Sequence, residues 1–379
     1  MVITTVAAIV AALIWAYLLV GRGYFWRIGP ITAQPGAAAL THRVAVIIPA
    51  RNEAAVIARS IVSLLECEGE SLHLFLIDDA SSDATAEIAR QAAASLGKLV
   101  SLTILEGRAL TPGWSGKLWA VSQGIEASRA FAPDFLLLSD ADIVHSPATI
   151  SSLLAIADRG YDLVSFMVKL HCCGLAEKLL IPAFVYFFFK LYPPSWTSNP
   201  RRSTAGAAGG CLLIRPEALA RAGGVAAIRG EIIDDCALAR AVKGSGGRVW
   251  LGLTAASASI RPYGSFAEIG RMISRNAFNQ LQHSALLLLG TVIGLGVTYL
   301  LPPALLFSRH LVPIALGGAA WAAMTVTYLP MARFYRLNPL WALSLPLAAL
   351  FYMGATLHSA IKFWLGRGGE WKGRAQDHR

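Results

Sequence analysis

The sequence predicts an α/β domain with a doubly wound, mostly parallel sheet, joined to α-helical transmembrane segments. Short apolar runs alternate with helical stretches between about residues 44 and 142, which is the pattern of consecutive β-α-β units. Long apolar stretches without charges lie near both ends of the chain. The composition agrees, because 55% of the 379 residues are hydrophobic and only 15% are charged, which is typical of a membrane protein.

The N-terminal segment, residues 1–22, is predicted to be a transmembrane anchor. Residues 2–20 carry no charge and are long enough to span a bilayer. A cleaved signal peptide is the alternative, and it is disfavoured because no basic region precedes the apolar run. Arg22 and Arg27 follow the run, so the positive-inside rule places the next domain in the cytoplasm.

Three apolar runs within residues 40–283 are predicted to be strands that end in polar residues. The run that starts at Val44 leads into Pro49, and a helix is expected to start near Glu53. The runs at 72–77 and 136–138 are each followed by carboxylates. Ligands of such sheets bind beyond the carboxyl ends of the strands. The polar residues at these ends are Arg51, Asn52, Glu53, Asp78, Asp79, Asp140 and Asp142.

Asp140 and Asp142 form the most informative pair in the chain. They are separated by one residue at the end of a buried strand, so both carboxylates can converge on one ion. Carboxylate oxygens suit a hard divalent cation, which in turn holds a diphosphate. The alternative is a polar turn that binds no ion. The residues around the pair favour the cation site.

Five groups of residues, in order, carry a resemblance to a known family. They are Pro49–Glu53, Asp78-Asp79-x-Ser81-x-Asp83, Trp114-x-Gly116-Lys117, Asp140-x-Asp142 and the later pair Gly209-Gly210 with Asp234-Asp235. This series resembles the motifs of family 2 inverting glycosyltransferases, which have the GT-A fold. The resemblance runs from about Val44 to about Arg275. The N-terminal anchor, the basic tail and Trp371-Lys-Gly-Arg374 look most like the hopene-associated membrane glycosyltransferases, and more distantly the chain is similar to ceramide glucosyltransferases.

The resemblance implies a role for each matching position. Asp140 and Asp142 would bind Mg²⁺ or Mn²⁺. Asp235 would be the catalytic base, with Asp234 beside it where the family usually has Glu; the alternative is that either residue only caps a helix. The implied donor-binding residues are Pro49, Arg51, Asn52, Glu53, Asp78, Asp79, Lys117, Asp140 and Arg275. The implied acceptor-side residues are Trp196, Gly209, Gly210 and Phe188.

The segment around Arg275 departs from the family pattern. Related enzymes carry a (Gln/Arg)-x-x-Arg-Trp element here, whereas this chain has Met272 at the first position and Asn276 in place of the Trp. Arg275 is still expected to meet the diphosphate. The missing Trp argues against a processive polysaccharide synthase. The alternative for Arg271 and Arg275 is a helix face that meets lipid headgroups, because they lie four residues apart.

Membrane contacts are predicted at two further places. Residues 175–194 combine charges, prolines and the rings of Phe187, Phe188 and Phe189, which favours an interfacial helix that touches lipid or acceptor. The alternative is a buried core helix. Residues 284–365 are divided into transmembrane helices at about 285–307, 311–331 and 340–364, followed by a basic tail at 366–379. Three spans place this tail outside, whereas its Lys and Arg residues argue for the cytoplasm.

Composition and spacing exclude several classes of function. The net charge of +10 is explained by Lys and Arg beside the membrane segments, and no basic run with interleaved aromatics indicates a nucleic-acid partner. The five cysteines and the histidines show no zinc spacing, and reduced cysteines in a cytosol-facing domain are expected.

The sequence therefore predicts a multi-pass enzyme of a bacterial-type inner membrane with a cytoplasmic catalytic domain. The resemblance implies that it transfers a sugar from a nucleotide sugar, expected to be UDP-linked, to a hydroxyl of a hopanoid or related isoprenoid lipid. The alternatives are a polyprenyl-phosphate glycosyltransferase, a processive polysaccharide synthase, or an inactive scaffold in lipid synthesis.

Overall fold

The computed structural model describes residues 2–31, 42–67, 71–366, 370–371 and 374–375. Its contacts divide the chain into two compact units. The membrane unit consists of Met1–Gly29, Cys172–Ser195 and Pro262–Gly369, and the sheet unit of Pro30–His171, Trp196–Arg261 and Glu370–Arg379. Segments 172–195 and 262–283, which belong to the predicted domain at 40–283, thus group with the apolar helices. Most of the predicted basic tail lies outside the described residues.

The sheet unit contains a sheet that has nine strands within the described residues. These strands are β1 Pro30–Ile31, β2 Val44–Ala50, β3 Leu72–Asp78, β4 Leu102–Glu106, β5 Phe135–Ser139, β6 Ile143–His145, β7 Leu163–Lys169, β8 Cys211–Ile214 and β9 Val249–Ser259. A separate antiparallel pair is formed by β10 Glu370–Trp371 and β11 Arg374–Ala375.

The strand order is β1-β9-β7-β8-β5-β2-β3-β4, and β6 pairs with β9 beside this path. Neighbouring strands run parallel except that β8 is antiparallel to β5 and β7, and β6 is antiparallel to β9. The predicted fold class, a mostly parallel α/β sheet together with apolar helices, is confirmed.

Helices occur in both units. They are α1 Val2–Val20, α2 Ile57–Leu65, α3 Thr85–Ser95, α4 Gly116–Ser128, α5 Thr149–Ala157, α6 Leu175–Leu191, α7 Pro194–Thr197, α8 Pro216–Arg221, α9 Asp234–Gly244, α10 Phe266–Gln280, α11 Ala285–Leu295, α12 Leu301–Leu305, α13 Leu311–Phe334 and α14 Leu345–Trp364. A π-helical turn, Gly296–Leu300, joins α11 to α12. Short 3₁₀ turns lie at Leu99–Ser101, Arg129–Phe131, Val225–Ile228 and Pro339–Ser344.

Helices cover both faces of the sheet, which explains why its central strands are apolar at nearly every position. On β2, Val44, Val46 and Ile48 face a core that includes residues of α2, α3 and α5. Ala45 and Ile47 face the opposite core, to which α4 and α9 contribute. Each fully buried aliphatic side chain contributes about 1.5–3 kcal/mol, so this two-sided burial holds the strand ends in place.

Helix α2 begins at Ile57, about one turn later than predicted from the sequence. The backbone of Asn52 has φ of 53°, and the loop that follows is bonded to the next strand's loop instead of winding into a helix. Glu53 N donates to Thr85 Oγ1 at 2.8 Å, and Ala54 N donates to Asp83 Oδ2 at 3.1 Å. These side-chain partners satisfy donors that a helix would leave unbonded in its first turn.

Four helical segments of the membrane unit are long and apolar enough to cross a bilayer. They are Val2–Val20, Ala285–Leu305, Leu311–Phe334 and Pro339–Trp364. Their positions agree with the four segments expected from the sequence, by length and composition.

Helix α6 packs inside the membrane unit. Tyr186 is buried and its hydroxyl bonds to Thr327 Oγ1 at 2.8 Å, while the ring of Phe187 lies 5.4 Å from that of Tyr299. Phe189 is fully buried, so the expectation that its ring contacts lipid or acceptor is wrong. Burial on several sides favours the alternative, a core helix. Phe188 is half-buried, and its acceptor-side role stays a prediction.

Candidate functional site

Polar residues gather at the carboxyl-end edge of the sheet, where β2, β3 and β5 end together. The strands pair in parallel with β2 in the middle, and the last pair of the β2–β3 ladder joins Ala50 to Asp78. Strand β5 ends at Ser139, one residue before Asp140. Asp140 and Asp142 therefore stand beside the loops that follow β2 and β3, as the sequence predicted.

Lys117 lies at the centre of the site. Ser115 caps α4 by accepting a hydrogen bond from Leu118 N, and this places Lys117 in the first turn of the helix. Its Nζ lies 2.9 Å from Asp140 Oδ1 and 3.2 Å from Asp234 Oδ2. Burial alone would lower the pKa of Lys117, but the charges of Asp140 and Asp234 raise it above its usual range. One ammonium thus joins Asp140 of the predicted metal site to Asp234, the neighbour of the predicted catalytic base.

Asp235 has the surroundings of a general base. It lies in the first turn of α9, where its Oδ2 accepts a hydrogen bond from Gly209 N at 2.9 Å and its Oδ1 accepts one from Cys236 N at 2.7 Å. Burial and the charge of Asp234 raise the pKa of Asp235 to about 6, although Lys117 opposes the shift. A carboxylate with such a pKa is ionised at neutral pH and is more basic than an ordinary aspartate.

The burial of Asp235 has an identifiable source. The carboxylates of Asp234 and Asp235 line a small cavity together with Lys117 and Asp140, and the rest of its wall is mostly apolar. The apolar side chains are Leu118, Val121, Leu138, Leu212, Val225, Ile228 and Leu238. This apolar wall excludes water from one side of Asp234 and Asp235, which disfavours the charged form of a carboxylate.

The carboxylate of Asp142 is hydrogen-bonded by Ser259, the last residue of β9, and by Arg261, which follows the strand. Its Oδ2 accepts hydrogen bonds from Ser259 Oγ at 2.9 Å and from Arg261 Nε at 3.2 Å. The same Arg261 also forms an ion pair with Glu53, from the loop after β2. Burial and the charge of Asp140 raise the pKa of Asp142, even though Arg261 opposes the shift. Arg261 therefore connects the predicted cation ligand to the predicted nucleotide side.

The residues fit a divalent cation that is shared with a substrate. Asp140 and Asp142 present hard oxygen atoms on residues separated by one position, which suits a divalent cation. Within the described residues, no group of three or more His, Cys, Asp or Glu side chains could enclose a metal ion. Mg²⁺ in particular is commonly bound by one or two carboxylates plus substrate phosphates. The donor set thus suits a cation completed by a diphosphate.

The loops after β2 and β3 bind each other tightly. Arg51 donates from its guanidinium to the backbone oxygens of Asp79 and Ala80, at 2.5 and 3.1 Å. Asn52 Oδ1 accepts a hydrogen bond from Ser82 N at 2.8 Å. These contacts make Arg51 and Asn52 structural in part and shape the surface that a nucleotide would meet.

The two aspartates at the end of β3 differ in their surroundings. Asp78 Oδ1 accepts from Ser81 N at 3.0 Å within the turn, while Asp79 is almost fully buried. Neither caps α3, because Asp83 accepts from Thr85 N at 3.1 Å and the N-cap of α3 is Ala84.

Gly209, which was predicted to be an acceptor-side residue, lies beside Lys117 and the predicted base Asp235. A Cβ atom at this position would lie 3.3 Å from Lys117 Nζ and 3.5 Å from Asp235 Oδ2. The absence of a side chain therefore leaves room beside both charged groups. Gly210 packs instead against Ile143 and Val168.

The segment that contains Trp196 is fastened to α9. Lys243 Nζ donates to the backbone oxygens of Trp196, Thr197 and Thr204, at 3.2, 2.7 and 2.7 Å. The ring of Trp196 lies under the Arg202 guanidinium at 4.9 Å. Two other predicted site residues, Arg275 and Phe188, belong to the membrane unit, so the sheet unit by itself does not contain them.

Sequence reasoning missed Arg261 and Ser259. His145, on β6, has a structural position: it is buried, with Nε2 3.0 Å from Ser139 Oγ and Nδ1 3.0 Å from Ser257 Oγ. Burial lowers the pKa of His145 to about 4, so its ring is neutral and ties β5 to β9 beside the acidic pair. A signal existed for Arg261, because it follows the apolar run of β9 just as Asp140 follows β5.

Comparisons with known proteins bear on the family and the fold of the chain. Residues 45–223 match the profile of the family described as Glycosyl transferase family 2. The undecaprenyl-phosphate 4-deoxy-4-formamido-L-arabinose transferase of Edwardsiella ictaluri is 31% identical over 124 residues, which is 32% of this chain and 35% of the relative. The protein of the same name from Pseudomonas aeruginosa is 34% identical over 125 residues, covering 32% of this chain and 34% of the relative. The chain thus spans about a third of the length of these curated relatives.

A solved structure extends the likeness to nearly the whole chain. A mannosyltransferase from Pyrobaculum calidifontis, in complex with GDP-Man and Mn²⁺, superposes with a TM-score of 0.53 at 20% identity. The superposition covers 96% of this chain and 99% of that chain, which shows a common fold. Residues 45–223 are thus similar to the glycosyl transferase family 2 domain, and the chain shares the fold of the solved mannosyltransferase.

Proposed function

We propose that this chain is a membrane-bound inverting glycosyltransferase that moves a sugar from a nucleotide donor to a lipid hydroxyl. The observation that carries the proposal is the position of Asp235. Its carboxylate is half-buried and has a pKa raised to about 6. The adjacent Asp234 is joined through Lys117 to Asp140 of the acidic pair that follows β5. A base of this kind serves an acceptor that must lose a proton as it attacks.

The donor diphosphate would be held from the strand-end side of the site. Asp140 and Asp142 would hold a Mg²⁺ or Mn²⁺ ion together with the diphosphate. When bound, such a cation neutralises the charge that develops on the leaving group. Lys117 would contribute its ammonium to the same phosphates. Glu53 and Asp79, on the loops after β2 and β3, would meet the ribose and base, which carry hydroxyl and N–H donors.

The acceptor would be activated by Asp235. Its carboxylate takes the proton from the acceptor hydroxyl while the oxygen attacks the anomeric carbon opposite the leaving diphosphate, so the configuration inverts. The hydrogen bond from Gly209 N keeps one oxygen of Asp235 in a fixed direction. Asp234, paired with Lys117, supports the charge balance and is the weaker candidate for the base.

The acceptor class is proposed to be a hopanoid or a similar isoprenoid lipid, with a UDP-linked sugar as donor. The resemblance of the sequence to hopene-associated enzymes supports the acceptor, and the four apolar segments support work at a membrane. We place the enzyme in the cytoplasmic membrane with the sheet unit facing the cytoplasm, because Arg22 and Arg27 follow the first apolar helix. The solved neighbour binds GDP-Man and Mn²⁺, so a GDP-linked donor belongs in the test.

A second candidate is transfer to a polyprenyl phosphate. It is favoured by the names of the curated relatives, which act on undecaprenyl phosphate. The two acceptors differ in chemistry. A phosphate monoester has a second pKa near 6 and is largely ionised at neutral pH, so it needs no general base, whereas a lipid alcohol does.

The test is a transfer assay with the full chain reconstituted in lipid vesicles. Donors are UDP- and GDP-linked sugars with Mg²⁺ or Mn²⁺, and acceptors are a hydroxylated hopanoid, ceramide and undecaprenyl phosphate. We expect transfer to a hydroxyl lipid that is lost in Asp235→Asn. Transfer only to undecaprenyl phosphate, retained in Asp235→Asn, would replace the first candidate by the second. A folded protein that binds nucleotide but transfers to no acceptor would support the scaffold alternative.

A further inference from the structure

Helices α11–α12 and α13 form an antiparallel hairpin within the membrane unit. Only residues 306–310 separate them, and a Cβ atom at Gly317 would lie 2.6 Å from Leu305 Cβ and 2.8 Å from Pro302 O. Ala285–Leu305 and Leu311–Phe334 are each long and apolar enough to cross a bilayer. If both cross, their far ends, near Ala285 and Phe334, lie on the same side of the membrane.

The C-terminal end of α14 lies beside the start of α11. The ring of His283 stacks on that of Phe363 at 4.0 Å, with 9° between the planes. The ring of Phe278 lies 5.4 Å from Phe363 and 5.6 Å from Trp364. Phe278 also shares a buried cluster with Leu288 and Ala360. The end of α14 is therefore on the side where α11 begins, which is also the side where α13 ends.

The segment after α13 therefore starts and ends on the same side of the membrane, the side where α11 begins. We propose that Pro339–Trp364 is a re-entrant or in-plane membrane segment whose apolar face is immersed in the acyl chains of a single leaflet. Helix α14 has 20 residues and is about 30 Å long, so a helix that crossed would place Trp364 about one bilayer thickness away from His283. Hydropathy alone counts this segment as a span, because it measures length and composition but not the direction of return.

The neighbouring helix α10 supports the same arrangement. It runs along α14: the rings of Phe266 and Phe351 are 6.0 Å apart at one end, and Phe278 N donates to Ser359 Oγ at 3.1 Å near the other. Arg271 and Arg275 are exposed along α10. If α14 crossed the bilayer, α10 would carry these charges into hydrocarbon, where each costs about 2.5–3.5 kcal/mol or more. A helix pair near the surface avoids this cost.

The two faces of α14 match a layer between protein and lipid. Its buried face consists of small residues, among them Ala348, Ala355 and Ala360, which allow close packing against the other helices. Its exposed face is a stripe of large apolar side chains. The members of this stripe are Leu347, Leu350, Leu357, Ile361 and Trp364. Such a stripe needs an apolar solvent, and acyl chains supply it.

The proposal also removes the conflict between span count and charge. With three crossings, by α1, α11–α12 and α13, the C-terminal side becomes the side of Arg22 and Arg27, in agreement with the positive-inside rule. Arg333 and Arg336, at the end of α13, fall on that side too. Arg309, in the hairpin loop, falls on the other.

The test is cysteine accessibility in the full chain, expressed in cells in a background where Cys172 and Cys173 are replaced by Ser. Single reporters are Leu365→Cys at the end of α14, Gln280→Cys at the end of α10, and His310→Cys in the hairpin loop; all three positions are exposed. A membrane-impermeant maleimide is applied to intact cells and again after permeabilisation. Correct folding is checked by a single symmetric peak in size-exclusion chromatography, and Gly366→Cys, at an exposed position just after α14, replaces Leu365→Cys if that variant fails.

We expect Leu365→Cys to be labelled like Gln280→Cys, only after permeabilisation, while His310→Cys is labelled in intact cells. Labelling of Leu365→Cys in intact cells together with His310→Cys would overturn the proposal, because α14 would then cross. Labelling of Leu365→Cys under neither condition would also overturn it, because the end of α14 would then lie within the bilayer. The result does not depend on sugar transfer, so it stands or falls separately from the proposed function.

Discussion

The ammonium of Lys117 lies 2.9 Å from a carboxylate oxygen of Asp140, and the same nitrogen lies 3.2 Å from Asp234. One side chain thus links Asp140, which follows β5, to Asp234 at the start of α9. Because Asp140 and Asp234 are held by the same charge, a change on one side is expected to be felt on the other. This linkage makes the two halves of the proposed reaction testable together.

Replacing Lys117 by Met should weaken nucleotide binding and shift the pH profile at once. Loss of a charge-assisted contact of about 1.5–3 kcal/mol corresponds to about a 10- to 100-fold rise in the dissociation constant for UDP. Since Lys117 opposes the rise in the pKa of Asp235, its removal should move the acid limb of the transfer rate to higher pH. Calorimetry and a pH series measure the two effects. Arg240→Gln, an exposed charge change on α9, is the control and should alter neither.

Replacing Asp142 by Asn should abolish the dependence of nucleotide binding on divalent cation. The change removes a ligand's charge at nearly constant shape, so Arg261 and Ser259 keep a partner while the cation loses one. UDP titrations with and without Mn²⁺ measure the effect. The matched control is Asp158→Asn, whose carboxylate pairs with His42. A folded Asp142→Asn protein with wild-type UDP affinity and cation dependence would remove this residue from the cation site.

Arg261 should couple Glu53 to Asp142 energetically. Its guanidinium contacts both carboxylates, so Arg261→Gln leaves two neighbouring negative charges without their shared partner. We expect cation-dependent UDP affinity to fall about 10-fold. A double-mutant cycle with Glu53→Gln should give a coupling free energy of about 0.5–3 kcal/mol. Additive effects of the two changes would mean that the ion pair does not shape the nucleotide site.

The pH dependence of transfer should report the interaction between Asp234 and Asp235. A base must be ionised to act, so the wild-type rate should fall as the pH drops below about 6, the raised pKa of Asp235. The charge of Asp234 contributes to that shift, so Asp234→Asn should move the acid limb to lower pH. The rate of transfer between pH 4.5 and 8 measures both. An acid limb that stays in place in Asp234→Asn would show that the two carboxylates do not interact as described.

The sequence predicted the strand ends well, because an apolar run followed by a polar cluster is a local signal. Asp78, Asp140 and Asp142 lie where that signal put them. The ion pair between Lys117 and Asp234 could not be predicted from the sequence, because the two residues are 117 positions apart and belong to different helices. Arg261 was missed although the same local signal precedes it.

The sequence predicted where the apolar segments lie better than it predicted which way their side chains face. The lengths and positions of the apolar segments were predicted closely, yet Phe189 proved to be buried. Whether an aromatic ring faces lipid or other helices depends on its packing partners. The ring of Tyr186 on α6, for example, lies 5.3 Å from that of Tyr328 on α13. Those partners are distant in sequence, so no window average contains them.

The most direct test of the central claim compares donor binding and transfer in Asp235→Asn. Replacing the carboxylate by an amide keeps the shape but removes the proton acceptor. The account predicts a UDP dissociation constant near wild type and a single-turnover rate of transfer to a lipid hydroxyl that falls by about 10²–10⁴-fold, with a smaller loss in Asp234→Asn. Equal losses in binding and transfer, or a larger loss in Asp234→Asn, would contradict the assignment of Asp235 as the base.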